Sequence, residues 1–271
     1  EKRGYQWALG YVLDQLVHPE KCLQRLQEID AHPDQESQDV LNFKDGRVFE
    51  RYSRPQKLGN VILGRVFSYR DITERDHAQR IVSLQAERME LLANASKTFA
   101  AARLDLAPIL DTAASWISKH FKDLCLIRIF STDLSRFESI SVHHPNAKAA
   151  QLAQEIMAAD TPTPIDEARF GSQVLRSGQP LLVSDIATYR LRASLDPKYW
   201  PYLDRFPIHS LMAVPLRVPG KIIGIAMVFR DLSSPGYGQE DLTFFQEIAD
   251  RAAVAVDNAR LYAEAQRAIQ L

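Results

Sequence analysis

One stretch constrains the fold more than any other. HSLMAVPLRV (209–218), Pro219-Gly220 and KIIGIAMVF (221–229) read as a β-hairpin, with Pro and Gly at the two central positions of a type II turn. Successive side chains of a strand leave opposite faces. Here both faces are apolar: Met212, Val214 and Leu216 on one, Leu211 and Ala213 on the other, and the same holds for 222–229. A sheet apolar on both faces has to be covered on both.

The flanking sequence supplies the covers. Gly238–Leu271 keeps a three-four repeat through Leu242, Phe245, Ala249, Ala252, Val256, Ala259 and Ala263, which predicts a helix to the end of the chain. Leu104–Phe121 is a second amphipathic helix, beginning near Asp105 with Pro108 in its first turn. Strands are expected at 124–130 and 137–144, a helix at 147–159, a loop over TPTPID, a short helix around FGSQVLRSG and a strand at LLVSD. Residues 186–208 have no clear period but hold Tyr189, Tyr199, Trp200, Tyr202 and Phe206. A long aromatic connection of that kind suits a lid or binding loop, and it is the leading candidate to cover the second face.

The first hundred residues are organised differently. Apolar residues recur with helical spacing over 5–29, interrupted by Pro19, so His18 ends one short helix and Pro19 opens the next. Alternation then takes over in 37–43, 47–55 and 61–72, a three-stranded meander with a turn at Lys44-Asp45-Gly46. Asp71-Ile72-Thr73-Glu74 has capping-box spacing, with Asp71 accepting from the start of a helix and Glu74 reaching back. From Thr73 to about Ala102 neither Pro nor Gly appears, which makes a rod of about 45 Å. Ile81, Leu84, Arg88, Leu91, Ala95 and Thr98 form one stripe and Val82, Met89, Leu92 and Phe99 an offset second one. One stripe can pack on the body and the other on a partner.

Thirty-three basic against 34 acidic residues give a net charge of −1, so no global field favours nucleic acid or an anionic membrane surface. Cys22 and Cys125 make neither a zinc site by themselves nor a disulfide framework, which points to a reducing, cytoplasmic setting. No apolar run approaches the ~20 residues needed to span a bilayer, and EKRGYQWALG lacks a signal-peptide core. The chain opens without Met, and the expectation is a piece of something longer.

DGRVFERYSRPQ followed by GRVFSYRDITER resembles the closing hairpin and Asp-Ile-Thr exit of PAS domains, with Asp71, Ile72 and Thr73 on that motif. GSQVLRSGQPLLVSDI, LMAVPLRVPGKIIGIAMVF and YGQEDLTFFQEIADRAAVAVDNARLY together resemble a GAF domain. The implied fold is α+β: an antiparallel-sheet GAF domain with flanking helices, preceded by a partial PAS-like three-stranded sheet with two short helices and a long connecting helix. The implied division is 1–72, partial PAS-like; 73–102, connecting signalling helix; 103–262, GAF; and 263–271, the start of an output helix. The PAS family has five strands and only the last three are found, leaving the strand at 61–71 with an open edge. What the resemblance implies for function is a sensory role, as in the input regions of sensor histidine kinases of two-component systems.

Candidate sites follow from this division. A ligand is expected between the 124–144 and 209–229 strands and the 186–208 connection, with Tyr189, Trp200, Tyr202 and His209 as contacts; its identity, and any cofactor, stay unknown. Asp71, Ile72, Thr73 and Glu74 are the expected signal-coupling residues, and Leu84, Leu91, Ala252, Val256 and Ala259 the expected dimer-helix residues of a parallel homodimer. His143 and His144, adjacent in a strand, leave opposite faces and cannot chelate one ion together, so a polar strand end is the simpler reading. His18 and Cys22 are four apart, but Pro19 spoils that geometry. Cys125 has no neighbouring His for a bilin attachment, and no metal, glycine-rich nucleotide loop, phosphoacceptor box or helix-turn-helix is present.

The expected function is therefore a non-catalytic sensory and relay module whose partners are its own copy, a downstream effector in the same chain and a small-molecule ligand. The competing reading is a structural dimerisation module with an empty, collapsed pocket. A redox enzyme of small molecules has little in the sequence to support it.

Overall fold

The structure, a computed structural model, describes residues 2–101, 106–131, 135–158, 163–164, 169–232 and 234–269. It divides into two compact units, 1–88 and 89–271. In the first, α1 (Lys2–Gln15) and α2 (Pro19–Ala31) precede an antiparallel sheet of β1 (Ser37–Asn42), β2 (Val48–Leu58) and β3 (Val61–Asp71) in that order. His18 sits at φ −129°, outside the helical region as the residue before a proline must be, and Pro19 opens α2. Leu16, Cys22 and Leu41 form a small core with Leu13, Leu26 and Phe49 packed on it. Beside that core the buried Arg51 holds Asp39 with two bonds of 2.9 and 2.7 Å. Among the described residues β3 pairs with β2 alone, and Val61, Leu63 and Tyr69 are exposed along it.

The sheet leads into a long helix, α3 (Thr73–Ala101). Thr73 Oγ1 accepts from Val48 N at 3.0 Å, Ile72 N donates to Val48 O at 2.9 Å, and Asp71 Oδ1 accepts from Thr73 N at 2.9 Å. The helix start is thereby tied to the first residue of β2. The capping box is only half made: Asp71 Oδ1 accepts from Thr73 N, Ile72 N is taken by Val48 O, and Glu74 is exposed.

The second unit is a six-stranded antiparallel sheet in the order β6-β5-β4-β9-β8-β7. α4 (Leu106–Phe121) leads into β4 (Leu124–Phe130) and β5 (Arg136–His143), then α5 (Ala147–Ala158) and the two-residue β6 (Thr163–Pro164). α6 (Arg169–Ser177), β7 (Leu181–Val183), α7 (Thr188–Ser194), a 3₁₀ turn (Pro197–Tyr199) and α8 (Trp200–Arg205) lead to the hairpin β8 (Ile208–Val218) and β9 (Lys221–Asp231). α9 (Gln239–Ile269) follows. The expected helix start near Asp105 lies outside the described residues, as does most of TPTPID; the part described, Thr163–Pro164, pairs with Arg136 and Phe137 and is a strand rather than loop. Residues 186–208 are not a periodless connection but three short pieces. Elements of 7, 3 and 6 residues complete too few turns to leave a repeat.

Both faces of the hairpin are covered, as their composition demands. Cys125, Ile127, Ile129, Met212, Val214 and Leu216 belong to one core, closed by α4, α9 and the last turns of α3 through Leu92, Ala95 and Phe99. Leu124, Leu126, Leu211, Ala213, Ile225 and Met227 belong to the other, closed by α5 to α8. Gly220 takes φ +81° at the turn, where the second central residue of a type II turn must be left-handed. Gly224 has a different reason: a Cβ there would lie 2.3 Å from Arg128 O, so β9 can approach β4 only with glycine at that position.

The start of α9 is locked to the sheet by a buried polar group of three. Tyr237 Oη donates to Asp123 Oδ2 at 2.7 Å, the same oxygen accepts from Arg230 Nε at 2.9 Å, and the guanidinium carbon lies 3.9 Å from the centre of the Tyr237 ring. Ser118 Oγ donates to the Asp123 carbonyl at 2.8 Å, which brings α4 into the same lock.

Candidate functional site

The second core does not fill its space. Between the sheet and α5, α6 and α8 there is a cavity of about 110 Å³, bounded by Leu126, Arg128, Met157, Tyr202, Ile225 and Met227 among others. Strand alternation explains its floor: Leu124, Leu126 and Arg128 leave one face of β4, and Cys125, Ile127 and Ile129 leave the other. Arg128 is 4% exposed, donates to Met157 Sδ at 3.3 Å and lays its guanidinium 5.1 Å from the centre of the Phe137 ring.

Tyr202 comes from α8 and is 6% exposed, with its ring beside that of Phe206 at 5.3 Å. Burial pushes its phenol well above the ordinary value, and the carboxylates of Asp231 and Asp123 push it further, so the hydroxyl keeps its proton. It has no hydrogen-bond partner among the described residues.

Of the four ligand contacts expected from sequence, the cavity takes only Tyr202. Tyr189 is 68% exposed. Trp200 faces α7, where its indole N–H donates to Arg192 O at 3.2 Å and the Arg192 guanidinium stacks 4.5 Å from its ring. His209 is turned to the loop before α9, donating from Nε2 to Ser234 O at 3.0 Å. Those three side chains lie outside the cavity lining: on α7 and α8 only one face meets the sheet, where Leu191, Tyr202 and Leu203 are buried, and His209 lies on β8 with its ring turned to the loop. Sequence reasoning missed Arg128, whose signal was a single charge inside the apolar run LCLIRIF. It also missed the helix starts, signalled by Asp196-Pro197 and Pro201; Asp196 Oδ1 caps Lys198 N at 2.9 Å.

Ala252, Val256 and Ala259 are also corrected. They are 1%, 0% and 1% exposed inside the domain's own core, so they cannot form a seam with another copy. Leu84 and Leu91 on α3 are 65% and 39% exposed.

The two adjacent histidines diverge as strand geometry requires. His143 Nε2 meets Asp111 Oδ1 of α4 at 2.6 Å, whereas His144 Nδ1 accepts from Asn146 N at 2.9 Å with its ring 6.3 Å from Phe206. Among the described residues no group of three or more His, Cys, Asp or Glu is placed to hold a metal ion. Burial raises the thiol of Cys125, which has no charged neighbour to activate it.

His144 and His120 are both held below the ordinary value of 6.5, each chiefly by burial; Asp123 and Asp231 oppose the shift at His144, and Asp241 at His120. A histidine with a depressed folded value binds protons more readily when unfolded, so stability is full above 6.5 and falls as pH drops below it. The urea midpoint is expected to fall between pH 7.5 and 5.5, and to fall less in a His120→Gln/His144→Gln protein. An equal decline in both proteins would show that these two rings are not responsible.

Residues 105–256, more than half of the chain, match the sequence profile of the GAF domain. The chain belongs to the GAF domain family. Its fold agrees with that of a solved GAF domain. The GAF domain from a phosphoenolpyruvate-protein phosphotransferase of Coxiella burnetii is 17% identical, with a TM-score of 0.50 over 65% of this chain and 96% of that one. The GAF domain from the Acinetobacter phosphoenolpyruvate-protein phosphotransferase is 13% identical, TM-score 0.48, over 65% and 95%. Residues 122 to 287 of a methyl-accepting chemotaxis protein are 16% identical, TM-score 0.45, over 64% and 98%. No curated protein matches the chain. GAF domains are typical of sensory modules in signalling proteins, and the cavity lies within the matched residues of this one. No helix among the described residues is long and apolar enough to cross a membrane.

Proposed function

We propose that this chain is a cytoplasmic sensory input and relay module of a bacterial signal-transduction protein. In this reading the GAF cavity takes a small molecule, and α3, continued by the outer face of α9, pairs with its copy in a parallel homodimer. The homodimer feeds a downstream effector such as a histidine kinase, and the segment itself performs no chemistry. Residues 1–72 serve as the C-terminal half of a PAS-like domain, whose Asp71-Ile72-Thr73 exit couples β2 to α3.

The observation that carries the reading is the divided use of α3. Leu92, Ala95 and Phe99 are buried in the GAF core, while Ile81, Leu84 and Leu91 are 55%, 65% and 39% exposed at coiled-coil spacing. A helix anchored in a sensory core at one end and apolar on its exposed seam suits transmission between two copies. Wild-type protein is expected to sediment as a dimer and Leu84→Lys/Leu91→Lys as a monomer with unchanged circular dichroism. A monomeric wild type, or a variant that stays dimeric, would remove the relay from the reading.

A further inference from the structure

We propose that the GAF cavity binds a small, uncharged, mainly hydrocarbon molecule, seated between Leu126, Ile225 and Met227 of the sheet and Ala153 and Leu203 of α5 and α8. The inference rests on the cavity being a ligand site, and it adds the chemical class of the ligand.

Size is the first constraint. An engineered apolar cavity of about 150 Å³ holds benzene. A cavity of about 110 Å³ therefore suits a compact molecule of roughly six heavy atoms or fewer. Nucleotides and tetrapyrroles do not fit unless α5, α6 or α8 moves.

The second constraint is the supply of polar partners. In the sheet β4 lies between β5 and β9, and β9 between β4 and β8. The backbone N–H and C=O groups of both strands are therefore spent on the ladder rather than turned to the cavity above them. Among the described residues the lining side chains that carry a polar group are Arg128, Tyr199 and Tyr202. Arg128 is already engaged: it donates to Met157 Sδ at 3.3 Å, its guanidinium lies 5.1 Å from the centre of the Phe137 ring, and these are not its only partners.

Charge is the third. A cationic guest would meet that guanidinium, with no carboxylate among the described lining residues. An anionic guest would give up its water on entry and would have to draw the guanidinium away from partners it already holds. A hydrocarbon meets neither cost, and its burial against Leu126, Ile225 and Met227 is favourable in itself. The Tyr202 hydroxyl keeps its proton and can meet one neutral oxygen, so a small alcohol or ketone belongs to the class and an acid or an amine does not.

The probes are isobutanol, isobutyrate and isobutylamine, alike in shape and respectively neutral, anionic and cationic at pH 7. They are titrated into the full 271-residue chain and followed by ligand-observed NMR. Isobutanol is expected to bind at least about 10-fold more tightly than either charged probe. Ala153→Leu, which fills the cavity from α5, is expected to weaken isobutanol about 10-fold or more. Leu203→Ala, which enlarges it from α8, is expected to bind the longer 4-methyl-1-pentanol about 3-fold or more tightly than wild type does. It keeps the test decisive if Ala153→Leu does not fold.

Binding of isobutyrate or isobutylamine as tight as that of isobutanol would overturn the assignment of class. Binding of the alcohols that neither substitution alters would place them outside the cavity and would overturn it too. Failure of all three probes would likewise overturn it. In that case, stabilisation by another member of a general metabolite set would leave the cavity a ligand site of a different class, and no stabilisation by any member would remove the sensory reading as well.

Discussion

A Val256→Lys protein is expected to be strongly destabilised. Val256 is wholly buried in the core between the sheet, α4 and α9, so the ammonium of a lysine there has neither water nor a carboxylate to meet it. An uncompensated buried charge costs about 3–5 kcal/mol, a large share of the roughly 5–15 kcal/mol that holds a typical domain together. For a unit of this size the melting temperature is expected to fall by roughly 6–20 °C. Val254→Lys is the control, because Val254 lies two residues away on the same helix and is 50% exposed; it is expected to stay within about 0.5 kcal/mol of wild type. Calorimetry of the two variants decides the matter: a Val256→Lys protein with a wild-type melt would mean that α9 does not seat on the sheet as described.

Asp123→Ala carries the second large effect. One carboxylate oxygen accepts from both Tyr237 and Arg230, and the backbone of the same residue accepts from Ser118. Removing the carboxylate leaves a guanidinium that is 15% exposed with Pro235 O but no counter-charge from Asp123, and strands a hydroxyl from a residue that is 1% exposed. The expected loss is about 3–5 kcal/mol, the range for breaking a buried pair from one side. Tyr237→Phe removes a single bond and is expected to lose about 1 kcal/mol. If Asp123→Ala and Tyr237→Phe prove equally mild in chemical denaturation, the three groups do not act as a unit.

What could be read in the sequence followed from rules that depend on few residues. Pro219-Gly220 and the two apolar faces beside it define the central hairpin and its need for two covers, since turn chemistry and strand alternation are local. Pro19 and Asp71-Ile72-Thr73 mark helix starts for the same reason. The candidate site was less legible. Tyr189, Trp200, Tyr202 and His209 lie within one 21-residue span, and which of them meets the cavity depends on the faces that α7, α8 and β8 each turn to it. Arg128 stood in plain view inside an apolar strand. Its role depends on which face of β4 it leaves and on α5 and α6, which pack from elsewhere in the chain.

The dimer reading of Ala252, Val256 and Ala259 failed for a related reason. A repeat of small apolar residues says that something approaches closely, but not what. Here it is the domain's own sheet and α4 that take the space, and on α9 Val254, Leu261 and Tyr262 are the apolar residues left outside.

β4 is a party wall. Seven residues serve two rooms at once: Leu126 and Arg128 furnish the cavity, and Ile127 and Ile129 furnish the helix core that also holds Phe99 of α3. Neighbours in such a wall are about 3.3 Å apart along the strand, and Gly224 presses against it from the next strand with no space for a methyl group. The wall therefore cannot be altered for one room alone. A substitution that reshapes the cavity from β4 is a substitution against the helices as well, so variation in ligand choice is expected to arise on α5, α6 and α8, where a side chain answers to one side only.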